Sequence, residues 1–139
     1  MKELIGAWRL LRATHNSSDG EVSFHHGEHP VGQIVYSADG RMSATIMDPS
    51  WLEPPVDGKR RFGEFMAYAG AYEVQGDRVL HHVKIASHAP MVGTTLVRQF
   101  ELRGNEIFLR TEPHVGKNGK TYVHELLWRR FDSETTAQP

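Results

Sequence analysis

The chain has 139 residues, 39% hydrophobic and 24% charged, which suits one globular domain with a single modest core. The 16 basic and 17 acidic residues give a formal net charge of −1, which argues against a nucleic-acid or anionic membrane partner. The chain has no cysteine, which excludes disulfides, thiolate metal sites and cysteine nucleophiles. Because no long apolar run or signal-peptide core is seen, we expect a cytoplasmic protein.

Turn dipeptides separate runs that are rich in β-branched, aromatic or alternating residues, a pattern typical of hairpin-connected antiparallel sheets. These dipeptides are Asp19-Gly20, Asp39-Gly40, Gly76-Asp77, Gly104-Asn105 and Asn118-Gly119.

Nine strands are predicted between these turns. They are Leu4–Ala13, Glu21–Phe24, Gly32–Ser37, Arg41–Met47, Gly70–Gln75, Arg78–Ser87, Thr94–Leu102, Glu106–Thr111 and Tyr122–Phe131.

The segment after the prolines at 49, 54 and 55 has a different pattern. Phe62, Phe65, Met66 and Ala69 are spaced as one face of a helix, which predicts a short helix across one end of the sheet. This helix either completes the fold or acts as a lid in which Phe65 and Met66 close a cavity, and both roles are compatible.

These elements predict an all-β fold, a single antiparallel up-and-down barrel of eight or nine strands with one short helix. A barrel is favoured over a sandwich because closure removes exposed strand edges. The barrel domain is expected at residues 1–131, and the polar residues 132–139 are expected to form a flexible tail.

Alternation along the strands predicts which side chains face the barrel interior. The expected inward residues are Trp8, Leu10, Ile34, Tyr36, Met42, Ala44, Ile46, Tyr72, Val74, His81, Val83, Ile85, Leu96, Arg98, Phe100, Leu109, His124, Leu126 and Trp128. Among these, Trp8 and Trp128 are expected to close one end of the barrel.

The predicted interior contains a polar minority but no carboxylate, because Glu73, Glu101 and Glu125 fall on the outward phase. Arg98 is therefore a buried cation without a built-in partner. A β-bulge that turns a glutamate inward, access to water at the mouth, or an anionic ligand would each resolve this.

Several segments, in order along the chain, form a familiar pattern. They are Leu4–Leu10 with Gly6-Ala7-Trp8, Pro30–Tyr36, Asp39–Ser43, Tyr68–Tyr72 with Val74, Val79–Val83 and Gly93–Phe100. Together they resemble the bacterial lipocalin-like domain family, over nearly all of Leu4 to Phe131. The resemblance implies a calycin-type barrel with a small-molecule cavity, and it does not imply one reaction. It also implies that Arg129 or Arg130 packs across Trp8.

No metal and no cofactor are assigned, although the chain has nine histidines. The cluster from His25 to His29 is interpreted as a solvated loop, and His81 and His82 face opposite sides of one strand. A Zn²⁺ or Fe site that combines His81 and His124 with a third residue stays open, but the spacing does not support it. A haem ligated by His81 or His124 also stays open, and nothing in the sequence singles it out.

The inward polar residues predict a cofactor-free lyase, isomerase or cyclase that acts on a small, largely aromatic molecule. His81 or His124 would serve as general base, Tyr36 or Tyr72 would donate to an oxyanion, and Arg98 would bind an anionic oxygen. The predicted catalytic residues are His81, Arg98, Tyr72 and His124. The predicted ligand-binding residues are Tyr36, Met42, Trp51, Phe65, Met66, Ile85, Phe100 and Leu126.

Two other functions stay open at this point. One is a carrier barrel that binds its ligand without chemistry, and the other is an interaction module whose interior is packed solid. The expected partner is a small-molecule ligand or substrate, and the sequence leaves room for a homodimer.

Overall fold

The computed structural model describes residues 2–131, so the predicted tail at 132–139 lies outside the described residues. The described residues form ten strands. They are β1 Gly6–Ser17, β2 Val22–Ser23, β3 Val31–Tyr36, β4 Arg41–Met47, β5 Phe65–Gln75, β6 Arg78–Ala86, β7 Thr95–Arg103, β8 Glu106–Thr111, β9 His114–Val115 and β10 Thr121–Arg130.

Eight of these strands close into an antiparallel barrel, in the order β1-β3-β4-β5-β6-β7-β8-β10, with β10 pairing back onto β1. This arrangement confirms the predicted barrel. The two short strands lie outside the closed ring: β2 pairs with the end of β1, and β9 pairs with the start of β10. They form a four-stranded extension, β2-β1-β10-β9, at one end of the barrel.

The helical segments within residues 2–131 are single 3-10 turns, at Lys2–Leu4, Pro49–Leu52, Val56–Gly58, Phe62–Glu64 and Ala89–Met91. None of them has the length and apolar character that a helix needs to cross a membrane.

The predicted helix over Phe62, Phe65, Met66 and Ala69 is wrong. Only Phe62–Glu64 forms a 3-10 turn, and β5 begins at Phe65. A short apolar run at this spacing fits a buried strand as well as a helix. In the strand, Phe65 and Met66 point to opposite faces.

The closed end of the barrel is where β1 begins and β10 ends. Trp8 is fully buried there, and its indole Nε1–H donates to Leu4 O at 3.0 Å. The Arg130 guanidinium lies 4.1 Å from the Trp8 ring and donates to Ile5 O at 2.9 Å, as the resemblance implied. Gly6 approaches Arg130 so closely that a Cβ would lie 2.9 Å from Nη1, and its φ of +130° also favours glycine.

The core fills the half of the barrel next to this end. Many of its members lie near the start of β4, β6 and β8 or near the end of β3 and β10, which all meet at the closed end of the barrel. They include Tyr36, Met42, Val79, Ile107 and Trp128, each at most 3% exposed.

Two bulges change which residues face inward. In β1 the register shifts between Leu10 and Arg12, so the inward phase passes from Trp8 and Leu10 to Ala13 and His15. In β6, Val83 pairs with Gly70 and Ile85 pairs with Ala69, which leaves Lys84 as the extra residue. The prediction that Ile85 faces inward is therefore wrong, and its side chain is 69% exposed.

Candidate functional site

The open half of the barrel contains a cavity of about 330 Å³. The described part of the barrel is therefore not packed solid, as a purely structural module would require. The cavity wall is mostly apolar with a polar minority and contains no Asp or Glu among the described residues. It is formed by His26, Ile34, Ala44, Ile46, Phe62, Met66, Tyr68, His81, Met91, Leu96, Arg98, Leu109, Thr111, His124, Leu126 and Trp128.

His81 lies at the boundary between the packed half and the cavity, and it is fully buried. Its two ring nitrogens each contact a tyrosine hydroxyl. Nε2 lies 2.7 Å from the Tyr36 hydroxyl, and Nδ1 lies 2.8 Å from the Tyr68 hydroxyl. The imidazole thus forms the centre of a Tyr36–His81–Tyr68 chain of hydrogen bonds.

The direction of these hydrogen bonds follows from the surroundings. Tyr36 is 1% exposed, and among the described residues its hydroxyl has no other acceptor, whereas Tyr68 borders the cavity; we therefore infer that Tyr36 donates to Nε2. Nδ1 then carries the ring proton and donates to the oxygen of Tyr68. This arrangement leaves the hydroxyl proton of Tyr68, a cavity-wall residue, free to donate to a ligand.

Burial sets the charge state of this chain. Desolvation, aided by the nearby Arg98 charge, lowers the pKa of His81 to about 3. Burial also raises the pKa of Tyr36 and Tyr68, although Arg98 offsets part of the rise. All three groups are therefore neutral at neutral pH.

Arg98 is the cation of the cavity wall. It is half-buried, and within the described part of the chain its guanidinium makes one long hydrogen bond, from Nη1–H to the neighbouring Val97 O at 3.3 Å. Within residues 2–131 no carboxylate lies within salt-bridge distance of it. The predicted lack of an inward carboxylate is thus confirmed in the cavity wall.

A second polar group lies where the β2-β1-β10-β9 extension meets the cavity. His15 on β1 is directly opposite His124 on β10, with ring centroids 4.1 Å apart. His25, in the turn after β2, lies 4.0 Å from His15, and His114 on β9 lies 6.0 Å from His124. We call these four residues the histidine cluster.

Burial and mutual charge keep most of the histidine cluster neutral. Desolvation and then the neighbouring His15, His25 and His114 lower the pKa of His124 to about 3. The pKa values of His15 and His25 are also lowered, first by burial and then by nearby charges. His124 is the cluster member that also belongs to the cavity wall.

Five of the residues predicted for the site lie in the cavity wall: His81, Arg98, His124, Met66 and Leu126. Their proposed roles stay predictions.

The other predicted site residues lie elsewhere. Tyr72 donates its hydroxyl to Ser37 O at 2.9 Å, near the closed end. Met42 and Phe100 belong to the packed core, and Tyr36 reaches the site only through His81. Trp51 and Phe65 contact each other outside the cavity, with ring centroids 5.2 Å apart, and Ile85 faces solvent.

Sequence reasoning missed Tyr68 because it fell in the predicted helix. It missed His15 because the predicted first strand ended at Ala13, whereas β1 continues to Ser17, and because alternation from Trp8 places odd-numbered residues outside unless a bulge intervenes. It also missed His26, which was assigned to a solvated loop but is 8% exposed, with its Nδ1–H donating to Gly63 O at 2.9 Å.

Comparison with known proteins gave one match. The model of a family described as a lipocalin-like domain matches residues 5–131. No curated protein and no solved structure matched the chain. The match covers the whole barrel described above, from the first strand to the last. The chain therefore belongs to the lipocalin-like domain family.

Proposed function

We propose that the barrel binds a small, largely apolar or aromatic molecule through an anionic or carbonyl oxygen that Arg98 and Tyr68 hold. A lipocalin-like barrel fits the binding of small hydrophobic molecules, and this cavity is lined mainly by apolar side chains. The observation that carries the proposal is the Arg98 guanidinium, which has no carboxylate partner among residues 2–131 and lies in a mostly apolar wall.

The polar groups of the wall are matched to a ligand oxygen. A partly desolvated guanidinium gains most from a charged or strongly polar acceptor. The Tyr68 hydroxyl supplies a second donor, because its O–H proton stays unused when its oxygen accepts from His81 Nδ1–H. Two donors facing one apolar space favour a carboxylate, sulfonate, phenolate or carbonyl group on the ligand.

A matched pair of fluorescent probes tests this proposal. The anion 8-anilinonaphthalene-1-sulfonate and the neutral N-phenyl-1-naphthylamine share one aromatic frame and differ in the sulfonate. We expect Arg98→Met to weaken binding of the anion about 10- to 100-fold, as expected for a lost charge-assisted hydrogen bond, and to leave the neutral probe nearly unchanged. Fluorescence titration measures both affinities.

Arg78→Met is the matched control, because Arg78 is an exposed residue at the start of β6. We expect it to bind both probes like the wild type. If Arg98→Met leaves the anion's affinity unchanged, or lowers both affinities equally, recognition of a ligand oxygen by Arg98 is contradicted.

The Tyr36–His81–Tyr68 chain supports a second candidate, a cofactor-free isomerase or lyase that acts through an enolate. Arg98 and Tyr68 would stabilise the enolate oxygen, and the neutral His124 imidazole would accept the proton of the broken C–H bond. His81 would position Tyr68 rather than act as base, because both of its ring nitrogens are engaged. Binding remains the first proposal because a pKa near 3 makes His124 a weak base.

Deuterium exchange separates the two candidates. Phenylacetone carries an aromatic ring and exchangeable protons next to a carbonyl, and NMR in D₂O follows their loss. An enolising enzyme accelerates this exchange, and His124→Gln abolishes the acceleration. A carrier binds the ketone without acceleration, and that result would contradict the catalytic candidate.

A further inference from the structure

The histidine cluster contains three imidazoles that converge from three strands. Among the described residues, His15, His114 and His124 each offer one ring nitrogen, and these three atoms lie within 4.8 Å of one another. Their ring centroids are 4.1 to 6.1 Å apart. His25 lies beside this trio but is not part of the set whose nitrogens converge.

The backbone fixes this convergence. The β1 bulge turns His15 to the inner face, where it stands across the β1–β10 ladder from His124. His114 pairs with Tyr122 on β10, two residues before His124 and therefore on the same face of the sheet. The extension strand β9 thus carries its histidine to the pair on the barrel strands.

One nitrogen of the trio lacks a partner. His15 Nε2 is buried and makes no hydrogen bond, one of two such side-chain atoms among the described residues. The other ring nitrogen, Nδ1, lies 3.4 Å from the Ser23 hydroxyl. A buried ring nitrogen without a partner is costly, whereas a ring held at Nδ1 and free at Nε2 is arranged as metal ligands commonly are.

We propose that His15, His114 and His124 bind one divalent transition-metal ion, with Zn²⁺ as the best-suited ion. Three imidazoles without a carboxylate favour Zn²⁺, Ni²⁺ or Cu²⁺ over Mg²⁺ and Ca²⁺. Ligand nitrogens around tetrahedral Zn²⁺ lie about 3.3 Å apart, so modest side-chain rotation closes the site. Three protein ligands leave a fourth position, and His124 places the ion at the edge of the cavity.

The proposal is independent of the ligand binding proposed above, because the metal alone is the probe. It excludes the catalytic candidate, since a metal-bound His124 has no free lone pair to accept a proton. The full chain is dialysed against a chelator and then titrated with Zn²⁺ by calorimetry. We expect one ion per chain. Replacement of a metal ligand is expected to cost about 100-fold or more in affinity, which exceeds the 10- to 100-fold typical of outer-shell partners.

His15→Gln and His114→Gln are the test variants, and His29→Gln is the matched control because His29 is an exposed histidine of the nearby loop. We expect both test variants to lose affinity and His29→Gln to bind like the wild type. His114 is exposed in a two-residue strand, so this variant is expected to fold even if His15→Gln does not. Circular dichroism of the metal-free variants checks folding.

X-ray absorption of the zinc-loaded chain gives a second measurement. We expect imidazole scattering from about three histidines. The proposal is overturned if the wild type binds no zinc, if both test variants keep wild-type affinity, or if His29→Gln loses as much as they do. A shell of oxygen ligands alone would also overturn it.

Discussion

At the scale of single residues, His81 shows how burial fixes a protonation state. The imidazole is enclosed by two tyrosine hydroxyls and faces the Arg98 charge, so adding a proton would break one hydrogen bond and bury a second cation. The neutral His81 ring therefore stabilises the fold as well as forming part of the site.

The free energy of unfolding should decrease as the pH is lowered, because of His81. Its pKa is about 3 in the folded chain against an ordinary 6.5, so between these values the unfolded chain binds more protons. The contribution of His81 is complete above pH 6.5 and falls by roughly 2 kcal/mol by pH 5. Urea unfolding at pH 7 and pH 5 measures the change.

His81→Gln isolates this effect, since glutamine can bond both tyrosines but does not titrate. We expect the variant to be less stable at pH 7 and to lose about 2 kcal/mol less than the wild type on acidification. His29→Gln, at an exposed loop position, serves as the control for replacing a histidine by glutamine. Equal losses in wild type and His81→Gln would show that this histidine is not the source.

At the scale of elements, two β-bulges determine which side chains of β1 and β6 face the barrel interior, which alternation alone does not predict. Period-two patterning correctly placed Trp8, His81, Arg98 and His124 on the inner face, because each follows an uninterrupted stretch of its strand. An extra residue inverts the phase of everything beyond it, and no composition signal marks its position. This is why Ile85 faces solvent rather than the barrel interior.

The β5–β6 bulge requires glycine at position 70, because there is no room for a side chain. A Cβ at this position would overlap the backbone oxygen of His82 and lie 3.1 Å from Lys84 N, so the backbone itself must move. We expect Gly70→Ala to destabilise the chain by about 3 kcal/mol or more, measured by urea unfolding.

Gly76→Ala provides the comparison for that prediction. Gly76 has a φ of +61°, and no atom lies within 4 Å of the point that an alanine Cβ would occupy. Alanine there suffers only the left-handed backbone cost of about 1–2 kcal/mol. If the two variants are equally destabilised, the bulge relaxes around the methyl group and steric conflict is not its constraint.

At the scale of the whole molecule, the barrel is packed in one half and hollow in the other. The strand pattern predicts whether a side chain faces inward. It does not predict whether that side chain lies in the packed half or beside the cavity, which depends on strand direction and on how completely side chains fill the interior. Met42 and Phe100 were correctly placed inside, yet they lie in the packed half. This is why these two predicted ligand-binding residues belong to the core instead of the cavity wall.

The extension beyond the closed ring should be the least protected part of the sheet. The residues of β2 and β9 are all exposed, and each of these strands has two residues. We expect their amides to exchange with D₂O at least about 100-fold faster than those around Trp8 in β1, measured by NMR in one sample. Equal protection would show that the extension unfolds only with the barrel.

The closed end has a consequence for ligand exchange. Leu4, Trp8 and Trp128 are at most 1% exposed, so in the described part of the chain they block this end of the barrel and we expect a ligand to enter and leave at the other end. An incoming molecule must wait until the resident one has left by the same route. The observed rate of replacement should therefore equal the departure rate of the first ligand and stay constant as the competitor concentration rises.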